Sequence, residues 1–151
     1  MKINEIWNEL ENDNSFSTGL LLRRYSAVVL PDIYVALRQP EKLRCIALRL
    51  QADNQINLSR YSNLKDISIE LVPDEKDNSK HFLLILLSSR QHKDVFATLC
   101  EDLINGISNV SDNDKIVKEL LNRLEKWKSL FDKADMQGLS PEEQRGLYGE
   151  L

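Results

Sequence analysis

The sequence predicts an α+β fold, with an antiparallel sheet of about four or five strands, an N-terminal helix and two to three C-terminal helices. Short apolar or alternating segments between residues 20 and 89 indicate the strands, and apolar residues at helical spacing indicate helices on either side of them. The 151 residues suffice for one domain with a substantial core, and 42% hydrophobic with 29% charged residues exclude a disordered chain.

The first predicted element is a short amphipathic helix over residues 2–12, and the polar loop "NDNSFSTG" follows it. The apolar positions of this helix are Ile3, Ile6, Trp7 and Leu10. The segments "GLLLRRYS", "DIYVALRQ" and "LRCIALRL" are predicted strands. Because "PEK" separates the last two and Pro40 suits a turn better than a strand interior, these two are predicted to form a hairpin.

Two more predicted strands follow a loop of low apolar density. In "DISIELV", the residues Ile67, Ile69 and Leu71 alternate with polar ones, which is typical of a half-buried strand. The segment "HFLLILLSS" is an almost continuous apolar run and predicts a central strand covered on both faces. Together the strands are predicted to form an antiparallel meander.

After Ser89 the pattern is helical. "HKDVFATLCEDLINGIS" and "DNDKIVKELLNRLEKWKSLFDKA" each carry an apolar stripe, and we expect both helices to cover one face of the sheet. The stripes are Val95, Phe96, Leu99, Leu103 and Ile107 in the first, and Ile116, Leu120, Leu124, Trp127 and Phe131 in the second. Asp112 or Asn113 is the predicted cap of the second helix, whose outer face carries many charges.

The residues most often used in catalysis form no recognisable site. Cys45 and Cys100 lie among apolar residues and are predicted to be buried thiols, and His81 and His92 are predicted at ordinary surface or edge positions. The sequence contains neither a glycine-rich phosphate loop nor a GxSxG motif. Because it also lacks a signal-like N-terminus and an apolar run of about 18 residues, we expect a cytoplasmic protein without membrane contact.

One pair of segments matches a nuclease signature. Asp32 in "LPDIYV", followed by Asp74-Glu75-Lys76, spells PD…DxK, in which two carboxylates hold Mg²⁺ and a lysine helps to activate water. That chemistry needs the DxK on a strand, so that both side chains point into one cleft. Here "PDEKDNSK" is a polar turn, so we interpret the match as accidental and predict no metal site. Asp32 is then expected to cap or bend the entry to its strand.

Charge is distributed unevenly around the net value of −4. Residues 20–93 hold 12 Lys and Arg against 8 Asp and Glu, giving +4, whereas residues 94–151 hold 7 against 12, giving −5. A charge of +4 over 74 residues is weak for a nucleic-acid surface. An ordinary solvated face of the sheet explains it better.

The closing stretch, "GLSPEEQRGLYGEL", has the most specific local pattern. Ser140, Pro141 and Glu143 occupy the N-cap, first and third positions of a helix, which is a capping box. Three apolar residues share one face of this helix: Leu147, Tyr148 and Leu151. Physical chemistry alone favours a short C-terminal helix docked on the preceding helices, with its two glycines allowing close packing.

The segment "WKSLFDKADMQGLSPEEQRGLYGEL" resembles the linker into the nuclease core of the bacterial family called "PD-(D/E)XK motif protein". "DIYVALRQPEKLRCIALRL" and "DVFATLCEDL" also fit the family, so the resemblance spans essentially the whole chain. It implies a restriction-type protein of the kind often encoded beside methyltransferases and ATPases in defence operons. It further implies that residues 1–137 form a non-catalytic N-terminal domain, and that residues 138–151 begin the first helix of a nuclease core absent from this chain.

The resemblance places the catalytic PD and (D/E)xK residues beyond residue 151. Glu150 alone matches a candidate catalytic residue of the family, the glutamate of "GEL", which in related nuclease folds contributes to the metal site. By itself the chain is therefore expected to hold no cofactor and to cleave no DNA. Mg²⁺ is expected only for the full-length nuclease.

Two functions stay open at this point. The first is a scaffold or interaction domain of a restriction-type nuclease in anti-phage defence, with DNA, defence-system proteins and a second copy of the chain as partners. Its candidate DNA-binding residues, which would meet phosphates and not bases, are Arg23, Arg24, Arg38, Lys42, Arg44 and Arg49. The second is a stand-alone adaptor or inhibitor that acts by binding another protein. An active nuclease built on Asp32, Asp74 and Lys76 is the least favoured alternative.

Overall fold

The computed structural model describes residues 2–13, 19–26, 28–51, 66–88 and 92–136, and over residues 130–136 it describes the helix without its side chains. The elements in chain order are α1 (Lys2–Glu11), β1 (Gly19–Arg24), β2 (Ile33–Gln39), β3 (Leu43–Gln51), β4 (Ile67–Pro73), β5 (Lys80–Leu87), α2 (Lys93–Ile107) and α3 (Asn113–Met136). The predicted α+β class is therefore confirmed. The helix predicted within residues 138–151 lies outside the described residues.

The five strands form one antiparallel sheet in the order β1-β2-β3-β5-β4. The predicted hairpin of β2 and β3 is confirmed, but the predicted meander is wrong in its second half, because β5 and not β4 pairs with β3. The composition of β4 and β5 explains why β5 takes the interior position. Every residue of β5 from Phe82 to Leu87 is buried, so β5 gains most from an interior position, whereas β4 includes Ser68 and Glu70 and forms an edge.

Residues of all three helices and alternate residues of the strands form the main core on one face of the sheet. Trp7 of α1 is fully buried there, and its ring stacks on Phe96 of α2 with the centroids 5.6 Å apart. The indole Nε1 donates hydrogen bonds of 3.1 Å to the carbonyl oxygens of Ala36 and Cys45. Because a buried indole N–H needs an acceptor, these bonds let Trp7 anchor α1 to β2 and β3.

The opposite face of the sheet carries two smaller buried clusters, as expected from the alternation of side chains along strands. One contains Ala36, Cys45 and Leu86, and the other contains Ala47, Phe82 and Leu84. Both cysteines are free and buried, which confirms that prediction. Burial raises the pKa of the Cys45 thiol to about 12, so this thiol stays protonated and unreactive at neutral pH.

Helices α2 and α3 cross at Gly106, where a larger residue would require the Arg123 side chain to move. A Cβ atom at this position would lie 2.0 Å from Nε of Arg123, so the glycine allows Arg123 to lie directly over α2. Arg123 then donates hydrogen bonds to Asp102 at 2.9 Å and to Glu119 at 3.1 Å. Trp127 also donates to Asp102, at 3.1 Å. These contacts fix how α3 crosses α2.

The helical predictions agree with the structure in most details. Asp112 accepts a 3.0 Å hydrogen bond from the backbone N–H of Asp114, which is a capping contact for α3. Val95 is the exception on the stripe of α2, since it is 43% exposed. Within the described residues, no helix has the length and apolar character needed to cross a membrane.

Candidate functional site

Four charged residues converge at one end of the sheet. Asp32 precedes β2, Arg49 lies near the end of β3, and Asp74 and Asp77 follow β4. In an antiparallel pair the end of one strand lies beside the start of its neighbour, so the observed register brings these positions together. We call Arg49 with the three aspartates the sheet-end cluster.

Arg49 lies at the centre of the sheet-end cluster. Its Nε donates a 2.9 Å hydrogen bond to Oδ2 of Asp74. Its Nη1 lies 3.7 Å from Oδ2 of Asp32, and its Nη2 lies 3.5 Å from Oδ2 of Asp77. Asp74 is only 7% exposed, and its Oδ1 accepts a 3.0 Å hydrogen bond from the backbone N–H of Lys76. Both oxygens of this enclosed carboxylate are therefore satisfied inside the cluster.

The electrostatics of the cluster follow from this arrangement. The hydrogen bond to Asp74, assisted by the charges of Asp74 and Asp32, raises the pKa of Arg49. Burial and the nearby Asp32 raise the pKa of Tyr34. The nearby Arg24 places its Nε 3.9 Å from Oδ1 of Asp32, a buried atom with no hydrogen-bond partner among the described groups. Two arginines against three aspartates give these five residues a formal net charge of −1.

The sheet-end cluster contains both halves of the PD…DxK pattern, yet it does not fit Mg²⁺. Mg²⁺ requires oxygen ligands at about 2.0–2.1 Å in octahedral geometry. Asp32 and Asp74 instead share the guanidinium of Arg49, and Lys76 lies in the turn after β4. Across the described ranges, His, Cys, Asp and Glu side chains form no group of three or more that could hold a metal ion. The fold brings the two carboxylates together in space, but the cation between them is an arginine.

Arg44 joins β3 to α1 and is only 7% exposed. Its Nη1 donates to Asn4 at 3.2 Å, and its Nη2 donates to Asn8 at 3.1 Å and to Glu11 at 3.0 Å. The guanidinium also lies 5.3 Å from the centroid of the Trp7 ring. Sequence reasoning missed this contact. The signal that could have found it is the helical spacing of the three acceptors, which puts them on one stripe of α1.

Glu11 interacts with three cations. Besides Arg44, Lys93 places its Nζ 3.8 Å from Oε2, and Lys42 donates a 3.0 Å hydrogen bond to the Glu11 carbonyl oxygen. Burial acts to raise the pKa of Glu11, but the hydrogen bond and charge of Arg44, with Lys93 and Lys42, outweigh burial and hold this pKa below its usual value. The end of α1 therefore neutralises much of the positive charge around it.

The remaining predicted DNA-binding residues also have acidic neighbours. The pairs are Arg23 with Glu9, Arg24 with Asp32, and Arg38 with Glu70. All six cations predicted to meet phosphates thus have partners within the domain. That they bind DNA stays a prediction. A catalytic role of Glu150 also stays a prediction, since residues 137–151 lie outside the described part of the chain.

The fold and the site define an α+β domain. At both ends of its sheet, arginines pair with carboxylates of the same domain. The family described as "Putative PD-(D/E)XK family member, (DUF4420)" matches residues 3–151, and the chain belongs to this family. This confirms the resemblance found in the sequence. No curated protein and no solved structure matches the chain.

Proposed function

We propose that residues 1–137 act as the non-catalytic interaction domain of a PD-(D/E)XK nuclease in a bacterial restriction or anti-phage defence system. Family membership supports the relation to nucleases. The observation that carries the non-catalytic role is the position of Arg49, which lies between the two carboxylates of the PD…DxK pattern. The proposal assigns Mg²⁺ to the full-length nuclease, where Glu150 is one candidate for its metal site.

Displacing Arg49 to admit a metal ion would be unfavourable. Asp74 is nearly buried, and a buried carboxylate that loses its charged partner is strongly destabilised. The incoming ion would lie between Asp32 and Asp74, and the backbone N–H of Lys76 already donates to the Asp74 carboxylate. Arg49 therefore acts as a permanent counter-ion, and the domain contributes binding surfaces to the nuclease.

Cleavage assays test the non-catalytic role. Purified chain incubated with supercoiled plasmid and Mg²⁺ is expected to leave the plasmid intact. The matched pair of variants is Asp74→Ala and Glu75→Ala, since Glu75 is an exposed neighbour in the same turn. Mg²⁺-dependent cleavage that Asp74→Ala abolishes and Glu75→Ala preserves would overturn the proposal and make this domain the catalytic one.

DNA contact is the second part of the proposal. Contact by a few cations predicts weak binding that depends strongly on salt, because affinity then comes from the release of counter-ions. A gel-shift titration at low salt measures it. Retention of the longer nuclease together with no retention of this chain would remove DNA contact from the role of the domain.

A stand-alone adaptor or inhibitor is the second candidate, and one observation favours it. Val28 is 89% exposed and Leu30 is 60% exposed on the loop between β1 and β2, and the Leu30 N–H donates to the carbonyl oxygen of Ser108 at 2.9 Å. Adjacent exposed apolar side chains on a held loop are typical of protein contacts. Sedimentation velocity of the chain mixed with a purified candidate partner would support this function if a complex forms that the double variant Val28→Ser, Leu30→Ser does not form.

A further inference from the structure

Three lysines on α3 differ from the cations of the sheet. Lys115, Lys118 and Lys126 are exposed, and in the described part of the chain none of them makes an ion pair or hydrogen bond. Asn122 and Ser129 are exposed beside them. At 100° per residue these five positions fall within an arc of about 80° on the helix surface. We call this arc the outer face of α3, and it contains no acidic residue.

The packing of α3 explains why Lys115 has no acidic partner among the described residues. Lys115 precedes Glu119 by four residues, a spacing at which a lysine and a glutamate often pair. Glu119, however, accepts a 3.1 Å hydrogen bond from Arg123, which lies over Gly106 of α2. The helix crossing thus draws the acidic side chain toward Arg123. Glu125 also has a partner of its own.

The outer face of α3 has dimensions that suit duplex DNA. Lys115 and Lys126 are 11 residues apart, which is about 16 Å along the helix axis. Phosphates follow at about 3.4 Å of axis per strand in B-form DNA, so this face spans about five base pairs. Lysine is a flexible point charge without the planar donor fork of arginine. Contacts of such residues with phosphates position a protein on DNA and carry no sequence information.

The cations of the sheet and those of the outer face of α3 differ in whether carboxylates compete with a phosphate for them. A phosphate that binds Arg49 or Arg44 must replace carboxylate partners that the fold holds in place. In the described part of the chain, Lys118 has no carboxylate partner that a phosphate would have to replace. We propose that Lys115, Lys118 and Lys126 on the outer face of α3 bind the phosphate backbone of duplex DNA without sequence preference. This rests on the proposed function, since it names the surface through which the domain contacts DNA.

Two matched triple variants of the full chain test the proposal by fluorescence anisotropy with a labelled duplex. One carries Lys115→Gln, Lys118→Gln and Lys126→Gln, and the control carries Arg23→Gln, Arg24→Gln and Lys42→Gln, so each loses three positive charges. Between about 50 and 200 mM NaCl, we expect the α3 variant to bind at least ~10-fold more weakly, with a salt slope lower by about 2.7. The control should stay within about 3-fold of the unmodified chain. Thermal melts verify that both variants fold.

The outcomes separate this inference from the proposed function. Equal losses in the two variants, or a larger loss in the control, would overturn the role of α3 while leaving DNA contact by the domain intact. No binding of the unmodified chain at low salt would remove DNA contact and this inference together. Affinities that differ by more than about 10-fold between two unrelated duplex sequences would overturn backbone-only contact. Binding of polyglutamate without binding of DNA would assign the face to an acidic protein.

Discussion

The positively charged residues of this domain fall into two groups. In and beside the sheet, Arg44 and Arg49 are partly or fully enclosed and bind carboxylates from other elements. On the outer face of α3, Lys115 and its neighbours have no partner in the described part of the chain. The difference arises because strand ends converge on one another, whereas the exposed lysines on the outer face of α3 pair with no other described residue. A count of charges along the chain therefore does not locate a positive surface.

The largest expected effect is on the enclosed cations. Arg44→Met removes a buried guanidinium and leaves Glu11, Asn4 and Asn8 without its hydrogen bonds. We expect the free energy of unfolding to fall by about 3 kcal/mol, measured by urea denaturation. Lys118→Gln on the free face is the control and should change it by less than about 0.5 kcal/mol. Similar decreases in the free energy of unfolding of both variants would contradict the distinction between enclosed and free cations.

A smaller effect is expected at the sheet-end cluster. Arg49→Met leaves the enclosed Asp74 without its charged donor, and the free energy of unfolding should fall by about 2 kcal/mol. Arg38→Met is the matched control, because Arg38 pairs with Glu70, whose side chain is 40% exposed. The control should lose less than about 1 kcal/mol, as is usual for exposed pairs. A chain unaffected by Arg49→Met would contradict the role of Arg49 as a counter-ion.

The smallest expected effect is a pH dependence of stability. The pKa of Glu11 is lowered in the folded state from a reference value of 4.5, so its contribution to stability is complete above about pH 5. That contribution should disappear as the pH falls through the lowered pKa, because the unfolded chain then binds the proton more readily. Thermal melts from neutral to acidic pH measure this. Glu11→Gln should flatten the dependence.

Local patterns in the sequence predicted most of the elements. Alternation placed Ile67 and Ile69 on the buried face of a strand, and helical spacing placed Leu99 and Leu120 in the core. The strand order was not predictable in the same way. Both β4 and β5 are apolar enough to pair with β3, and the choice depends on how much of each strand becomes buried once the sheet is assembled.

The candidate site was predictable only in part. The sequence singled out Asp32, Asp74 and Arg49, but Arg49 was a candidate for binding DNA and the PD…DxK match of the two aspartates was interpreted as accidental. Arg49 and Asp74 are 25 residues apart along the chain, and no local periodicity connects them. Only the register of the sheet determines that they meet.

The sequence by itself therefore determined the α+β class, the buried faces of the elements and the family. Periodicity and motifs carry this information because both are local properties of the chain. The tertiary structure decided which charges remain available to a partner. Gly106 leaves space for Arg123 at the helix crossing, where Arg123 donates to Asp102 of α2 as well as to Glu119 of α3. Ion pairing depends on distances between elements, which the fold alone sets.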